Sequence, residues 1–280
     1  MNHPFIDSSR MLIFDLDGTL YEDTKHFDLF AKKLQSKLSE PAKTHFQKDY
    51  QLVQTGKHPL SIGKVYDAKE DVIWEWDPFT ETLTNPLLWD GSVPEKNPYQ
   101  STSFSAADFD LKRWISIGDG WWPPYVLAIH YGLAITDCHA SYDETKVDMA
   151  SGEGWLTKTP GLASQLLQLK QTKTLVLMTN SERSDVERLL AYLGLENLFD
   201  SMVTSAMKPV RTKEHFSQLL TTNNMNPDET VSIGDNFMNE IAPALQNEMK
   251  AIWLTPDKAP LSHSKLLAVT SLTEIIPSKS

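Results

Sequence analysis

The feature that most constrains the fold is a regular alternation of short apolar runs and helical segments in the C-terminal half of the chain. Each run has the length and composition of one buried strand, and the runs are TLVLM (174–178), SMVTS (201–205), TVSIG (230–234) and AIWL (251–254). Strands that alternate with helices in this way build βαβ units, whose strands lie parallel in one sheet. The pattern therefore predicts an α/β fold.

The segments between these runs have the spacing of helices that bury one face. In SERSDVERLLAYLGL, apolar residues recur at intervals of three and four positions: Val186, Leu189, Leu190 and Leu193. Ser181 is predicted as the N-cap of this helix, and Gly194 is predicted to end it. The same spacing returns after TVSIG, at Phe237, Ile241, Ala244 and Leu245.

An earlier run, LIFDLDGTLYED (12–23), has the same strand character but lies about 160 residues before the next strand. The segment between them begins with two helical patterns, one through Phe27 that ends at Pro41 and one through Phe46. It then enters a stretch rich in Pro, Asn, Ser and Thr (77–105), which is predicted to be irregular. We therefore predict a core domain of residues 1–20 and 155–280, and an inserted, mostly helical domain of residues 21–154. Seven of the eight tryptophans, from Trp74 to Trp155, fall in or beside this insertion.

Composition narrows the classes of partner. A formal net charge of −11 and a pI near 5.2 argue against nucleic acid or an anionic membrane as the main partner, so a small molecule is expected. Cys138 is the only cysteine, which excludes an intramolecular disulfide and favours a reducing compartment. The first residues lack a basic segment followed by an apolar one. A cytoplasmic protein is expected, and its oligomeric state stays open.

Polar side chains follow the apolar runs where the strands end. Ligands of an open parallel sheet bind at the carboxyl ends of its strands, so these side chains are expected to converge on one rim. They are Asp15, Asp17, Gly18 and Thr19 after the first strand, then Thr179, Asn180 and Ser181, then Lys208, and finally Asp235 and Glu240.

This set of residues predicts phosphoryl chemistry. Asp15 and Asp17 project to one side of a strand, where two like charges are costly without a positive partner. Carboxylates of Asp15 and Asp235 suit Mg²⁺, which also binds phosphate, and Lys208 adds a second positive charge. Asp15 is then placed to attack phosphorus, and Asp17 to protonate the leaving oxygen and later deprotonate water. Thr179 and backbone N–H groups can hold the phosphoryl oxygens.

Four motifs in this order resemble those of the haloacid dehalogenase superfamily of phosphohydrolases. They are DLDGT after an apolar strand, TNS, Lys-Pro, and IGDN with an acid five residues after its aspartate, and they cover residues 10–20 and about 156–257. The resemblance implies a Rossmann-like, doubly wound parallel sheet, and it implies that the insertion is a cap domain.

The resemblance also implies a role for each matching residue. Asp15 is the nucleophile and Asp17 the acid/base, while the metal ligands are Asp15, Asp235 and the backbone carbonyl of Asp17. The phosphate ligands are Thr179 and Lys208, and Asn180 beside Thr179 is grouped with them. Glu240 is expected either to support the metal site or to act only as an acid in the first turn of its helix; both interpretations stay open.

Other candidates have a structural explanation beside the functional one. Trp121 and Trp122 can line a pocket over the site, although tryptophans are more often part of a core. Cys138 with His139 lacks the partners of a thiol nucleophile, and His130 fits a helix face. The tetrapeptide SIGD occurs twice, ending at Asp119 and at Asp235, and only Asp235 follows the other motifs in order.

The expected function is that of a Mg²⁺-dependent phosphatase acting on a small phosphorylated metabolite through an aspartyl phosphate. A phosphomutase of the same superfamily would need the same two aspartates, Asp15 and Asp17. A hydrolytic dehalogenase is disfavoured, because halide leaves without a proton and Asp17 would have no role. A non-catalytic phosphate-binding protein is the alternative outside enzymology.

Overall fold

The computed structural model describes residues 3–95, 103–150, 156–255 and 262–276. The chain divides into two compact units, a core unit of Met1–Asp23 with Gly152–Ser280 and an inserted unit of Thr24–Ser151. Both divisions fall three residues from the predicted domain boundaries. Trp155 and part of the predicted irregular stretch, 96–102, lie outside the described residues.

Nine α-helices lie in the described residues, four of them in the inserted unit and five in the core unit. The α-helices are α1 (Pro4–Asp7), α2 (Lys25–Lys37), α3 (Glu40–Gln54), α4 (Trp122–His130), α5 (Ile135–Ala150), α6 (Leu162–Lys170), α7 (Arg183–Leu193), α8 (Thr212–Thr222) and α9 (Ala242–Gln246). Short 3₁₀ helices span Ala106–Asp108, Pro227–Glu229 and Leu272–Glu274, and a π-helix spans Phe237–Ile241 directly before α9. Among these helices, none has both the length and the apolar character needed to cross a bilayer.

The strands of the described residues form one sheet in each unit. They are β1 (Met11–Phe14), β2 (Lys64–Asp67), β3 (Val72–Asp77), β4 (Thr82–Leu88), β5 (Trp114–Ser116), β6 (Thr174–Met178), β7 (Ser201–Val203), β8 (Thr230–Gly234), β9 (Lys250–Leu254) and β10 (Leu266–Val269).

The core unit contains a six-stranded sheet in the order β10-β9-β8-β1-β6-β7, and all its neighbouring strands run parallel. Strands β1 and β8 are buried along their whole length, as expected for continuous apolar runs covered on both faces. Helices flank the sheet, so the predicted Rossmann-like α/β class is confirmed. Strand β10 was not predicted from the sequence.

The helix after β6 corrects one local prediction. α7 begins at Arg183 with Glu182 as its N-cap, so the assignment of Ser181 as N-cap was wrong. Ser181 lies one residue earlier, where its carbonyl accepts from the backbone N–H of Ser205 at 3.0 Å. The predicted end at Gly194 is confirmed, because this glycine closes the helix with a φ of 74°.

The inserted unit combines helices α2 to α5 with an antiparallel sheet in the order β4-β3-β2-β5. The two helical patterns were correct, since α2 and α3 lie at the predicted positions. The sheet was not predicted, and the assignment of 77–105 as irregular was wrong, because β4 lies inside it. Pro86 interrupts the strand pattern of β4 in the sequence, yet a proline is tolerated there because β4 is an edge strand.

The interior of the inserted unit is aromatic. Trp121 is buried, and its ring packs edge-on against Phe27, Phe30 and Tyr142 at centroid distances of 4.9 to 5.4 Å. Trp121 therefore contributes to the core of its own unit, whereas Trp122 is only half-buried. Cys138 is fully buried, and burial raises the pKa of its thiol to about 12, so it stays protonated and unreactive.

The core unit ties together the two points where the chain leaves it and returns. The backbone N–H of Thr157 donates to Asp23 Oδ2 at 2.5 Å, and the Thr157 hydroxyl donates to Asp23 Oδ1 at 2.9 Å. Both residues belong to the core unit. This Asp23–Thr157 clasp joins the segment that follows β1 to the segment that precedes α6.

Candidate functional site

Asp15 lies directly after β1, the strand between β6 and β8. Its backbone N–H donates to the carbonyl of Ile233 at 2.9 Å, which extends the pairing of β1 with β8 by one residue. The side chain is buried. Burial raises the pKa of Asp15, and the ammonium of Lys208 opposes that shift by stabilising the carboxylate.

Lys208 is the buried cation of the site. Its Nζ donates to Asp15 Oδ1 at 2.7 Å, to Glu240 Oε1 at 2.5 Å and to the carbonyl of Met178 at 3.1 Å. These three bonds use all three hydrogens of the ammonium. Burial disfavours the charged form of Lys208, but Asp15 and Glu240 offset this and hold its pKa above the ordinary value. The lysine is therefore a fixed positive charge between two carboxylates.

Asn180 fixes the position of Lys208 through the backbone. Its Nδ2 donates to the Lys208 carbonyl at 3.0 Å, and its Oδ1 accepts from the Lys208 N–H at 2.7 Å. The side-chain amide is thus turned toward the main chain of the lysine. A role for Asn180 at the phosphate, as predicted from the sequence, would fall to its own backbone N–H.

Thr179 is the first residue after β6, and its side chain is buried. Its hydroxyl oxygen accepts from the backbone N–H of Ser181 at 3.1 Å. Its own N–H donates to Val203 and its carbonyl accepts from Ala206, at 2.9 and 3.0 Å. Because a hydroxyl both donates and accepts, Thr179 still has its hydrogen to offer to an anionic oxygen.

Asp17 is held by two hydroxyl groups. The Tyr21 hydroxyl donates to Asp17 Oδ1, and the Ser181 hydroxyl donates to Oδ2 at 3.2 Å. Sequence reasoning missed Tyr21, although its position four residues after Asp17 in the same loop was a usable signal. It also placed Ser181 at a helix cap, whereas its hydroxyl reaches the carboxylate of Asp17.

Three carboxylates form an acidic cluster that suits a divalent cation. Oxygen atoms of Asp15, Asp235 and Glu240 all lie within 4.8 Å of one another. Gly18 makes this approach possible, because a Cβ at that position would lie 2.2 Å from Asp235 Oδ2. Gly18 also has a φ of 72°, a conformation that other residues rarely adopt. Hard oxygen donors of this kind are the ligands that Mg²⁺ prefers, so the residues present fit the metal.

Glu240 is buried in the π-helix after β8, and both of its oxygens are engaged. Oε1 pairs with Lys208, while Oε2 accepts the backbone N–H of Asn236 at 3.1 Å. Both sequence interpretations of Glu240 therefore stay open. One oxygen contacts Lys208 of the site, and the other accepts from a backbone donor at the start of the helix.

The predicted residues of the core unit thus meet at the carboxyl ends of β1, β6 and β8. Asp15, Lys208, Glu240 and Asp235 form one connected group, and Asn180 holds the lysine from its backbone side. Asp17 joins the end of β6 through Ser181. Asp119, the end of the other SIGD copy, instead accepts the backbone N–H of Trp121 at 2.9 Å in the inserted unit.

Comparison with known proteins shows the family of the chain. The family model of the haloacid dehalogenase-like hydrolases matches residues 10–246. A search of curated proteins found no match for the chain.

Solved structures share the fold. The HAD-hydrolase YfnB of Bacillus subtilis, solved with bound magnesium, is 16% identical with a TM-score of 0.52, and the alignment covers 95% of this chain and 96% of YfnB. A Thermotoga maritima protein assigned as a β-phosphoglucomutase is 14% identical with a TM-score of 0.50, with coverage of 95% and 96%. At these identities the likeness establishes the fold and nothing finer.

Proposed function

Since this chain belongs to the haloacid dehalogenase-like hydrolase family, we propose that it is a Mg²⁺-dependent phosphatase that acts on a small phosphorylated metabolite. The observation that supports this most strongly is the buried Lys208 between Asp15 and Glu240, with Asp235 beside them. Together with Asp17, this group holds four carboxylates and one ammonium. An anionic phosphate can enter such a site only with a further positive charge, which a divalent cation provides.

The proposed reaction has two steps at phosphorus. In the first, a carboxylate oxygen of Asp15 forms a bond to phosphorus as the bond to the leaving oxygen breaks, and Asp17 gives that oxygen a proton. In the second, Asp17 takes a proton from water, the water oxygen attacks phosphorus, and the bond to Asp15 breaks to release phosphate.

The remaining residues bind and orient the phosphoryl group. The ammonium of Lys208 favours the carboxylate form of Asp15 and attracts a phosphoryl oxygen, and the Thr179 hydroxyl donates to another. Asp15, Asp235 and the carbonyl of Asp17 would hold Mg²⁺, which when bound supplies charge neutralisation to the phosphoryl oxygens.

Asp17 also distinguishes the proposal from dehalogenation. Halide is a weak base and leaves without a proton, so a dehalogenase has no use for an acid at this position. Asp17 is held by Tyr21 and Ser181 beside Asp15, as a proton donor to a leaving oxygen would be. A phosphomutase uses the same acid and differs only in which hydroxyl receives the phosphoryl group.

The test is a panel of phosphorylated metabolites, with phosphate release measured in Mg²⁺ and again after chelation with EDTA. We expect release from a subset of the panel in Mg²⁺ only, and we expect Asp15→Asn to abolish it while leaving the circular dichroism spectrum unchanged. Phosphoryl transfer to a second hydroxyl without release would identify a mutase instead. Saturable binding of phosphate esters without either reaction would identify a binding protein, and release that survives in Asp15→Asn would refute covalent catalysis.

A further inference from the structure

We infer that Tyr21 and Ser181 are positioning residues for Asp17, which fix the direction in which its carboxyl group exchanges a proton with the substrate. This inference rests on the proposed phosphatase function, since it assigns a purpose to the acid of that reaction. Neither residue belongs to the predicted set of catalytic, phosphate-binding and metal-binding residues. Both contact Asp17 through hydroxyl groups on the two oxygens of one carboxylate.

Tyr21 is rigidly placed. Its side chain is fully buried in the core unit, and its backbone forms a β-bridge with the backbone of Asp17. The loop of residues 17–21 therefore closes on itself, with Gly18 at positive φ at its start. A buried aromatic ring anchored at the other end of so short a loop has little freedom to move its hydroxyl.

Ser181 is fixed equally well by a separate segment. It is buried, its N–H donates to the Thr179 hydroxyl at 3.1 Å, and its carbonyl accepts from the N–H of Ser205. Its hydroxyl thus approaches Asp17 from the end of β6, whereas Tyr21 approaches from the segment after β1. Two anchors from different segments restrain a carboxylate more strongly than either one alone.

The consequence concerns the lone pairs of Asp17. Each carboxylate oxygen has two acceptor sites, and each of these two hydroxyls occupies one of them. These two hydrogen bonds restrain the rotation of the carboxyl group, and they thereby restrain the direction along which Asp17 gives and takes its proton. Proton transfer depends steeply on such alignment, because donor and acceptor must lie within hydrogen-bond reach in the transition state.

A positioning role makes a specific kinetic prediction. Protonation matters most when the leaving oxygen is strongly basic, and it matters little when the leaving group is stable as an anion. Phenyl phosphate and p-nitrophenyl phosphate have similar shapes but differ in this property. Loss of the Tyr21 hydroxyl should therefore lower kcat/KM for phenyl phosphate much more than for p-nitrophenyl phosphate.

The experiment compares wild type, Tyr21→Phe, Ser181→Ala and Tyr192→Phe on both esters in saturating Mg²⁺. Tyr192→Phe is the matched control, because it removes the hydroxyl of another tyrosine of the core unit, one that donates to the backbone carbonyl of Leu156. We expect Tyr21→Phe to reduce kcat/KM for phenyl phosphate about tenfold and for p-nitrophenyl phosphate less than about twofold, with the same sign in Ser181→Ala. In an Asp17→Asn background, Tyr21→Phe should cause no further loss, since its effect acts through Asp17.

The outcomes separate the inference from the function beneath it. Equal losses on the two esters in Tyr21→Phe, or a further loss in the Asp17→Asn background, would overturn the positioning role while leaving the phosphatase proposal intact. A wild-type protein that cleaves neither ester nor any metabolite would overturn the phosphatase proposal itself. Crystal structures give a readout independent of turnover: we expect the Asp17 side chain to change rotamer or to split between rotamers in Tyr21→Phe, and an unchanged single rotamer would contradict the inference.

Discussion

The two copies of SIGD place the same four residues in two different regions of the molecule. In the core unit the tetrapeptide closes β8, a strand buried between two parallel neighbours, and Asp235 lies within 4.8 Å of Asp15 and Glu240. In the inserted unit it begins at the last residue of β5, a three-residue strand at the edge of an antiparallel sheet. There Asp119 accepts the N–H of Trp121 in the turn that leads into α4.

The difference shows that the role of an acidic side chain is determined by the residues that surround it in the fold, and not by the local sequence. Asp235 becomes part of a charged cluster because parallel strands bring their carboxyl ends to one edge, where the acids of β1 and β8 meet. An antiparallel sheet has no such edge, since adjacent strands end on opposite sides. The carboxylate of Asp119 is accordingly used to shape a turn.

The largest expected effect comes from removing one charge from each copy. Asp235→Asn should lower phosphate release by about 10²-fold or more and raise the Mg²⁺ concentration needed for half-maximal rate, because a hard cation loses an anionic ligand. Asp119→Asn should leave the Mg²⁺ requirement unchanged. Titrations of Mg²⁺ against phosphate release in both variants measure this, and a metal requirement shifted only by Asp119→Asn would reverse the comparison.

A second test concerns the buried charges of the core unit. Lys208→Met should lower the free energy of unfolding by about 3–5 kcal/mol, because Asp15 and Glu240 lose the ammonium that they share inside the protein. Urea denaturation in EDTA measures the change without interference from metal.

The matched control adds Glu240→Gln to Lys208→Met, which removes one of the two uncompensated charges. The double variant should recover part of the lost stability and none of the activity. A double variant less stable than Lys208→Met alone would mean that the structural value of Glu240 comes from its bond to Asn236 instead.

A third test probes the aromatic interior of the inserted unit. Trp121→Ala should reduce the free energy of unfolding by about 3 kcal/mol, since it leaves a cavity among Phe27, Phe30 and Tyr142. Trp122→Ala is the control, because this neighbouring ring is only half-buried and should cost less. Similar losses in the two variants would show that Trp121 is not the anchor of that cluster.

The smallest expected effect is a change of the free energy of unfolding with pH, to which a histidine of the inserted unit contributes. Burial lowers the pKa of His58 from its ordinary value of 6.5, and Asp49, 3.9 Å from its Nε2, opposes the shift. Below about pH 6.5, His58 binds a proton more readily in the unfolded chain than in the folded protein. The free energy of unfolding therefore falls as the pH drops.

His58→Asn should flatten this dependence between about pH 5 and pH 7, while its side-chain oxygen replaces the ring nitrogen that accepts from the N–H of Leu60. Urea denaturation across that pH range measures it. A slope that stays the same in His58→Asn would assign the dependence to other groups.

The core unit was predicted well from the sequence, because its strands are continuous apolar runs that recur regularly and are separated by turn residues and helical segments. TLVLM and TVSIG coincide with β6 and β8 residue for residue. β10 was not predicted because LLAV is short and lies at the edge of the sheet, where only one of its four residues is fully buried. Burial on both faces produces a clear sequence signal, and partial burial at an edge does not.

The inserted unit was predicted only in its helices. Strand β4 contains Asn85 and Pro86 and lacks the alternation that predicts a strand. Strand β3 does alternate apolar and charged residues from Trp74 to Asp77, over only four residues, and this signal was missed. The side-chain contacts of the site were likewise predicted only in part. Motif order predicted the main residues of the site, but the bond from the Tyr21 hydroxyl to Asp17 depends on how one loop folds back, and the four-residue spacing of the two residues was the only sign of it in the sequence.

The Asp23–Thr157 clasp has a consequence for how such a protein can change over time. Because the core unit already holds the two ends of the insertion together, closing the chain through the inserted unit costs the core little entropy, whatever the length between. Segments at such a junction can be lengthened, shortened or exchanged without disturbing the register of β1 against its neighbours. The clasp therefore allows the inserted unit to be replaced in evolution while the residues of the core unit that form the site stay the same.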